Sequence, residues 1–254
     1  MTKAETEALL RRMEDLARRS EKTAAVTHSG FLTPAEGHSV EQWALRGTDC
    51  TVLLHGGGPD CERRAAFFLP GWMEPEGFDP GESLCALELT ARFGSPGHRD
   101  YLGAILGLGV GREWIGDILV EGERAWVYCL PSVKSHLLLS LDKVGRWGVR
   151  TREVPLDQVP GRKREQREET FSVRSLRLDA VCAGMFRLSR TAAAEAIGQG
   201  LVQLNYEETT KPDAPVRAGD VLSLRGKGKG EVLEAGEKES RKGRLFVRTG
   251  VYIT

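Results

Sequence analysis

SLRLDAVCAGMFRLSRTAAAEAIGQGLVQLN, residues 175–205, is the stretch that decides the fold of the last third of this 254-residue chain. An apolar stripe at helical spacing predicts a first short helix. The stripe consists of Leu178, Val181, Cys182 and Met185. Ser189 stands where an N-cap belongs, so we expect a second, alanine-rich helix over residues 191–197 that ends at Gly200.

Cations surround this helix pair and two strands predicted after it, at 201–204 and 221–225. Three arginines stand at or near the helix starts, and four further cations come from strands and turns. They are Arg177, Arg187, Arg190, Lys211, Arg225, Lys227 and Lys229. Because a helix N-terminus offers free N–H groups and a partial positive charge, arginines there favour an anion such as phosphate. The glycines that flank Lys227 and Lys229 let a ligand approach the backbone closely.

Five short motifs in this region resemble the S-four RNA-binding domain, which is named after a ribosomal protein. They are Arg-Leu-Asp at 177–179, Leu-Ser-Arg at 188–190, Gly-x-Val-x-x-Asn at 200–205, Gly-Asp at 219–220 and Leu-Arg-Gly at 224–226. The resemblance implies a small αL-type module that grips structured RNA through its helix pair and the adjoining loop.

We expect the seven cations above to supply the phosphate contacts, and the resemblance adds Asp179 and Ser189 to this RNA-binding site. Arg177, Asp179, Ser189 and Arg190 match the S-four motif residue by residue. We expect Asp179 to orient an arginine or to cap a helix, because a carboxylate would be repelled by phosphate. A purely structural acid at a helix start is an equal alternative.

The composition is that of a globular protein with balanced charge: 28% of residues are charged, 40% are hydrophobic and the net charge is zero. Residues 172–254 carry 14 Lys+Arg against 10 Asp+Glu, and the remainder carries 22 against 26. A basic C-terminal module on a slightly acidic body suggests a local anion-binding face, although such a difference also lies within ordinary scatter.

The cysteines and the N-terminal sequence indicate the cellular compartment of the protein. The cysteines are isolated, with no CxxC, so neither a disulfide framework nor a zinc cluster is predicted and reduced thiols are expected. They are Cys50, Cys61, Cys85, Cys129 and Cys182. The charged N-terminus lacks the apolar core of a signal peptide, and no apolar run approaches the roughly 20 residues of a membrane span. We therefore expect a cytoplasmic protein with no membrane contact and no cofactor.

Residues 1–75 predict an N-terminal helix followed by a small α/β subdomain. The helix, at 3–22, is amphipathic, and its arginines are either a basic arm for RNA or a solvated face. Nearby acids almost balance them, which favours the solvated face. Thr33-Pro34 predicts the start of a second helix. His55-Gly56-Gly57-Gly58 could build a hydrolase oxyanion hole, but G-x-S-x-G is absent, so a tight turn before a short helix at 59–64 is favoured.

Residues 76–154 predict an α+β domain. The expected elements are strands at 84–90 and 147–154, a hairpin over 117–128, and helices at 98–107 and 131–144. In the first of these helices we expect Leu102, Ile105 and Leu106 to point inward, with Gly103 and Gly107 allowing another element to pack closely.

HRDYLGAILGLGVGREWIGDILV, residues 98–120, resembles the hallmark of the bacterial YlmH family, and residues 53–70 also fit its pattern. The resemblance implies an α+β chain with a helical N-terminal segment, a central RNA-recognition-like domain and a C-terminal S-four domain. We place the boundaries at 1–75, 76–154 and 173–254, with a charged linker at 155–172. Basic residues at 162–164 in the linker and at 238–244 could touch phosphate or be solvated. The central domain lacks an aromatic RNP pattern, so RNA stacking there rests on the resemblance.

Three functions follow from these observations. The resemblance implies a non-enzymatic, ribosome-associated factor that binds rRNA and tRNA on the large ribosomal subunit, with peptidyl-tRNA in quality control of stalled translation. S-four domains also occur on pseudouridine synthases, RNA methyltransferases and tyrosyl-tRNA synthetases, but the remaining ~170 residues show no catalytic carboxylate pair, cofactor loop or synthetase signature. A partner-docking protein with incidental RNA binding is the third. We expect a monomer, because no heptad or exposed apolar stripe is present.

Overall fold

The computed structural model describes residues 1–48, 50–161, 166–239 and 243–252, which divide into two compact units, Met1–Arg162 and Lys163–Thr254. The basic residues Arg162, Lys163, Arg164, Arg241 and Lys242 lie outside the described residues, as does the side chain of Lys238. In the described ranges no helix is both long enough and apolar enough to cross a bilayer.

The first unit contains four α-helices and eight strands within its described residues. In chain order they are α1 (Lys3–Thr23), β1 (Thr27–Leu32), α2 (Pro34–Ala44), β2 (Thr51–His55), β3 (Arg64–Leu69), β4 (Cys85–Ala91), α3 (His98–Gly107), β5 (Ile115–Glu121), β6 (Arg124–Cys129), α4 (Pro131–Ser140), β7 (Lys143–Val144) and β8 (Trp147–Val154). Short 3-10 turns lie at 75–77, 80–82, 112–114 and 156–158.

A three-stranded antiparallel sheet, in the order β1-β3-β2, forms the N-terminal part. Both α1 and α2 begin with a capping box, at Thr2 and Thr33, in which the hydroxyl accepts a backbone N–H and a glutamate reaches back. Leu9 and Met13 of α1 bury their side chains against Phe68 of β3. The predicted N-terminal helix and the helix start at Thr33-Pro34 are confirmed.

A five-stranded antiparallel sheet, in the order β5-β6-β4-β8-β7, forms the rest of the unit, with α3 and α4 on one face. The inward side of α3 carries Tyr101 and Ile105, whereas Leu106 is 41% exposed, so the prediction for Leu106 is wrong. A Cβ on Gly103 or Gly107 would meet no atom within 4 Å, so the expected close packing is also wrong. Helix α4 ends at Ser140, four residues before the predicted end, because the chain then turns into β7.

The opposite face of the five-stranded sheet is partly covered by the three-stranded sheet, and Phe31, Phe67, Trp126 and Tyr128 share one core there. The glycine run after β2 is a turn that closes over Tyr128. A Cβ on Gly57 would stand 2.3 Å from that ring, and the residue has φ +103°. The two sheets therefore make a common core, and the glycines are needed for close approach rather than for an oxyanion hole.

Two half-buried arginines, Arg63 and Arg112, and the buried Asp117 join the sheets. Asp117 accepts the backbone N–H groups of Glu62 (2.7 Å) and Arg63 (3.1 Å), which holds residues 59–63 in turns and makes the predicted helix at 59–64 wrong. Arg63 Nη2 donates to the Phe31 carbonyl (2.7 Å), and Arg112 Nη1 donates to the Ile115 carbonyl (2.7 Å). Burial and the charge of Arg63 lower the pKa of Arg112 to about 10. These motif residues are structural.

The second unit is a six-stranded antiparallel sheet with two helices. Its elements are β9 (Gln166–Val173), α5 (Leu178–Met185), α6 (Arg190–Gly198), β10 (Val202–Leu204), β11 (Glu207–Glu208), β12 (Val221–Leu224), β13 (Gly228–Glu239) and β14 (Leu245–Tyr252). The strand order is β11-β10-β12-β13-β14-β9. Both helices contribute to a core with the inward residues of the sheet, including Val181, Ile197, Leu222, Val232 and Val247.

The C-terminal part of the predicted linker is a strand. Residues 166–172 pair with β14 along its full length, from Val173 opposite Leu245 to Gln166 opposite Tyr252. The linker prediction is therefore wrong for residues 166–172: proline, glycine and a run of mixed charge favoured a tether, whereas Phe171 and the adjoining Val173 pack into the core of the unit.

Candidate nucleic-acid interface

A buried carboxylate at the start of α5 holds two arginines. The side chain of Asp179 is 8% exposed. Its carboxylate accepts a side-on pair of hydrogen bonds from Arg190, at 3.1 Å from Nε and 3.3 Å from Nη2, and one from Arg177 Nε at 3.3 Å. The side chains of Arg177 and Arg190 remain 40% and 56% exposed. Asp179 thus orients both guanidinium groups at the surface, as the sequence led us to expect.

The helix pair supplies this geometry. Arg177 is the residue before α5, and Arg190 opens α6 directly after Ser189. The Ser189 hydroxyl oxygen accepts the Ala192 N–H at 3.1 Å, so Ser189 acts as the N-cap of α6. Together, the start of α5 and the start of α6 place one negative and two positive charges side by side, which leaves a net positive surface.

A loop closes over the start of α5 and brings Lys211 to it. The N–H groups of Leu178 and Asp179 donate to the carbonyls of Ala214 and Pro212, each at 2.9 Å. These first amides of α5 are therefore occupied, and the expectation that they would bind an anion is wrong for this helix. Lys211 is exposed and precedes Pro212, so its backbone lies near this end of the helix pair and it is the third basic residue there. We call Arg177, Asp179, Arg190 and Lys211 the arginine patch.

Arg187 lies outside the arginine patch. It occupies the connector between α5 and α6 with φ +54°, a left-handed conformation that is unusual for a residue with a side chain. Its guanidinium group forms an ion pair with Glu169 of β9. The structure therefore binds Arg187 to the edge strand of the sheet rather than to Asp179.

The glycine-flanked cations are divided between two further places. Arg225 and Lys227 are exposed in the turn between β12 and β13, and the Arg225 N–H donates to Leu201 just beyond the end of α6. Since α6 has nine residues, the turn lies roughly 13 Å along the helix axis from Arg190. Lys229 is on the sheet face opposite the helices, with its ammonium 4.7 Å from the Tyr206 ring centroid.

A set of side-chain hydrogen bonds made by Asn205 and Asp220 in this unit was not predicted from the sequence. Asn205 Nδ2 donates to Asp220 at 2.8 Å, the Val221 N–H donates to Asn205 Oδ1 at 2.9 Å, and the Arg217 N–H donates to Asp220 at 2.7 Å. The motif residues Asn205 and Asp220 therefore fix the turns that carry β10 and β12. The signal was present, since asparagine and aspartate are the residues that bond the backbone of turns.

A cleft of about 1020 Å³ in the first unit lies beside the glycine turn. His55 lines it, together with the acids Asp79, Glu82, Glu153 and Asp157. His55 Nδ1 accepts the Gly57 N–H at 3.0 Å, so the ring proton is on Nε2. Burial lowers the pKa of His55, which keeps the ring neutral. The histidine is a boundary residue held by its own turn.

Comparisons with known proteins agree with both resemblances. Residues 75–158 match the family model described as "Putative RNA-binding domain in YlmH", and residues 176–222 match "S4 domain", the S-four domain above. Over 202 residues the chain is 33% identical to "Ribosome-associated protein quality control protein P2" of Bacillus subtilis (strain 168), covering 78% of this chain and 77% of that protein. The chain belongs to the YlmH family.

A solved YlmH-type structure confirms the fold. "Cell division protein ylmH from Streptococcus pneumoniae" has a TM-score of 0.53 and 21% identity, covering 63% of this chain and 98% of that one. With the family matches, this confirms the predicted α+β class, the N-terminal helix and the C-terminal S-four domain. Arg177, Asp179, Ser189 and Arg190 meet at the starts of α5 and α6, with Lys211 nearby in the chain, whereas the remaining cations are dispersed over the same unit.

Proposed function

We propose that this YlmH-family protein binds structured RNA without catalysing a reaction, and that the arginine patch is its main phosphate contact. The observation that supports the proposal is the sharing of one buried carboxylate by two half-exposed arginines. A guanidinium group that is fixed in orientation loses less conformational entropy when it binds a phosphate, and its planar donors match the phosphate oxygens.

The proposed target is ribosomal RNA together with tRNA on the large ribosomal subunit. The support is a relative: the Bacillus subtilis protein is named as a ribosome-associated quality control protein and matches over most of both chains. We extend this to a role beside peptidyl-tRNA in the rescue of stalled translation. Recognition would follow the shape of A-form RNA, whose backbone and 2′-hydroxyls are accessible to exposed cations.

A non-enzymatic role is supported by the cleft beside the glycine turn. His55 faces it as a neutral ring whose Nδ1 already accepts a backbone N–H, so that nitrogen is not available as a general base. The alternative of an RNA-modifying enzyme would have to use a base other than His55 Nδ1.

The test is co-sedimentation with ribosomal subunits across a salt series. The wild type is compared with the double variant Arg177→Ala plus Arg190→Ala, and with Arg190→Lys, which keeps the charge but removes the planar fork. We expect the wild type to follow the large subunit, and the double variant to show a log K against log salt slope shallower by about 1.5, since each lost phosphate contact removes roughly 0.7–0.9. The lysine variant should keep the slope but bind more weakly.

Two outcomes overturn the proposal separately. If the wild type stays in the supernatant at low salt, ribosome association fails, and free tRNA becomes the next ligand to titrate. If the wild type binds but the double variant keeps the wild-type slope, the RNA contact lies away from the arginine patch.

A further inference from the structure

The five-stranded sheet of the first unit has one face that is only half covered. In an antiparallel sheet, directly opposed residues point to the same side. Tyr128, Ala86 and Val154 form one row across β6, β4 and β8, and all three belong to the core beneath the three-stranded sheet. The sheet continues beyond this row. Trp126 in the next row still belongs to that core, and the arginine side chains farther from it are exposed.

The exposed side chains of the next two rows are basic. The next row on the same side is Trp126, Glu88 and Arg152, and the one after it is Arg124, Thr90 and Arg150. Arg124, Arg150 and Arg152 are all exposed. Neighbouring strands are about 4.8 Å apart and residues of one side are about 6.8 Å apart along a strand, so these three guanidinium groups share a small area.

A recess concentrates part of this charge. It has a volume of about 470 Å³ and is lined by Thr90, Ala91, Arg92, Arg150 and Arg152. Arg92 continues β4 past its last residue, with its N–H donating to Gly148 of β8 at 3.0 Å. Phe93, the next residue in the chain, is 82% exposed. Three arginines that line one recess offer several planar donors to the oxygens of a phosphate group.

Two acids lie on the same side and do not cancel this charge. Glu88 is 8% exposed and is bound to Arg152 at 2.9 Å. Burial alone would raise the pKa of Glu88, but the hydrogen bonds and charge of Arg152, with the charge of Arg124, hold that pKa below its usual value. Glu121 stands opposite Arg124 on β5. Against these two acids stand four arginines, so the surface is net positive.

We propose that this open half-sheet, with Arg92, Arg124, Arg150 and Arg152, is a second RNA contact that takes the phosphodiester backbone, separate from the arginine patch. It rests on the proposed RNA-binding function. An acidic polypeptide is the competing ligand, but the recess offers arginines and a threonine hydroxyl rather than apolar pockets for peptide side chains. Arg152 is positioned by Glu88, as Arg177 and Arg190 are positioned by Asp179.

The experiment titrates the full chain with a fluorescent RNA hairpin over a salt series. The variant is Arg124→Ala plus Arg150→Ala, which leaves the Arg152–Glu88 pair intact. The control is Arg46→Ala plus Arg99→Ala, which removes two exposed arginines of the same unit, one after α2 and one on the helix side of the sheet. Both pairs are also placed in the Arg177→Ala plus Arg190→Ala background, so that a failed arginine patch and a failed half-sheet are told apart.

For the Arg124 and Arg150 variant, we expect the slope of log K against log salt to be shallower by about 1.5 in both backgrounds. The control pair should keep the slope of its background. Equal slopes for the variant and the control overturn the proposal. The proposal is also overturned if the variant keeps the salt dependence of RNA binding but loses binding to polyglutamate. The surface would then bind an acidic protein. Circular dichroism of the variants confirms that each one is folded.

Discussion

Replacing Asp179 with asparagine separates two accounts of the arginine patch. The substitution keeps the shape of the side chain and removes its charge. If cations act only through net charge, Asp179→Asn should strengthen RNA binding, because one negative charge beside phosphate is lost. If the carboxylate acts by positioning Arg177 and Arg190, the same variant should weaken binding.

The magnitude follows from the contacts. Three hydrogen bonds of 3.1–3.3 Å join the carboxylate to the two arginines. Charge-assisted bonds of this kind are worth about 1.5–3 kcal/mol when buried, but both guanidinium groups are about half exposed, and solvent screening reduces the total to about 1–2 kcal/mol of unfolding free energy. Ordering two freed arginines on RNA costs about 1–3 kcal/mol, so we expect roughly 5- to 100-fold weaker binding.

The assay is fluorescence anisotropy with ribosomal RNA fragments or tRNA at several salt concentrations, below the unfolding temperature of the variant. The matched control is Asp213→Asn, which removes an exposed acid beside Pro212, the residue whose carbonyl accepts the Asp179 N–H. The control should bind as the wild type does or slightly more tightly. The positioning argument is refuted if Asp179→Asn binds as tightly as Asp213→Asn.

Three further predictions concern conformational strain, close packing and thiol reactivity. In urea titrations, the free energy of unfolding of Arg187→Gly should be about 1 kcal/mol higher than that of Arg187→Ala. Both variants lose the ion pair, but only glycine accepts φ +54° without strain. Equal free energies of unfolding would contradict this. Gly57→Ala should be destabilising by about 2 kcal/mol more than Gly47→Ala in thermal melts, since both have positive φ but only Gly57 meets an aromatic ring, and similar losses would rule out the packing role. At pH 8, mass spectrometry after iodoacetamide should find half-exposed Cys61 modified and Cys129 intact, because burial raises the pKa of Cys129 to about 12 and keeps its thiol protonated; early modification of Cys129 would contradict this.

Local patterns in the sequence were sufficient to predict most of the helices and strands. The apolar stripe of α5, the N-cap at Ser189 and the Thr33-Pro34 helix start depend on residues within one or two turns of each other, so they can be recognised without tertiary information. The contact of Asp179 with arginines was one of the alternatives that the sequence offered, because arginines stand within two residues of it and at the start of the next helix.

Errors arose where a partner distant in the chain decides the conformation. Asp117 holds residues 59–63 in turns from more than fifty residues away, and β9 becomes a strand because β14 pairs with it. Leu106 looks apolar and inward on a helical wheel, yet Tyr101 occupies the buried position. The sheet order also separates the cations. They lie in the arginine patch, in the turn between β12 and β13, against the edge strand β9 and on the sheet face opposite the helices. Spacing along the sequence alone does not reveal this.

The sheet of the second unit has a bearing on how such a domain can be transferred between proteins. The S-four match spans 176–222, yet β9 comes before that interval and β13 and β14 come after it. Val173, Val232, Val247 and Val251, all outside the matched interval, are part of the same core as α5 and α6. A gene fusion cut at the motif limits would leave the helix pair without the part of its packing surface that these strands supply. Inheritance of a working RNA-binding module in this family therefore has to include the flanking strands, from residue 166 to residue 252.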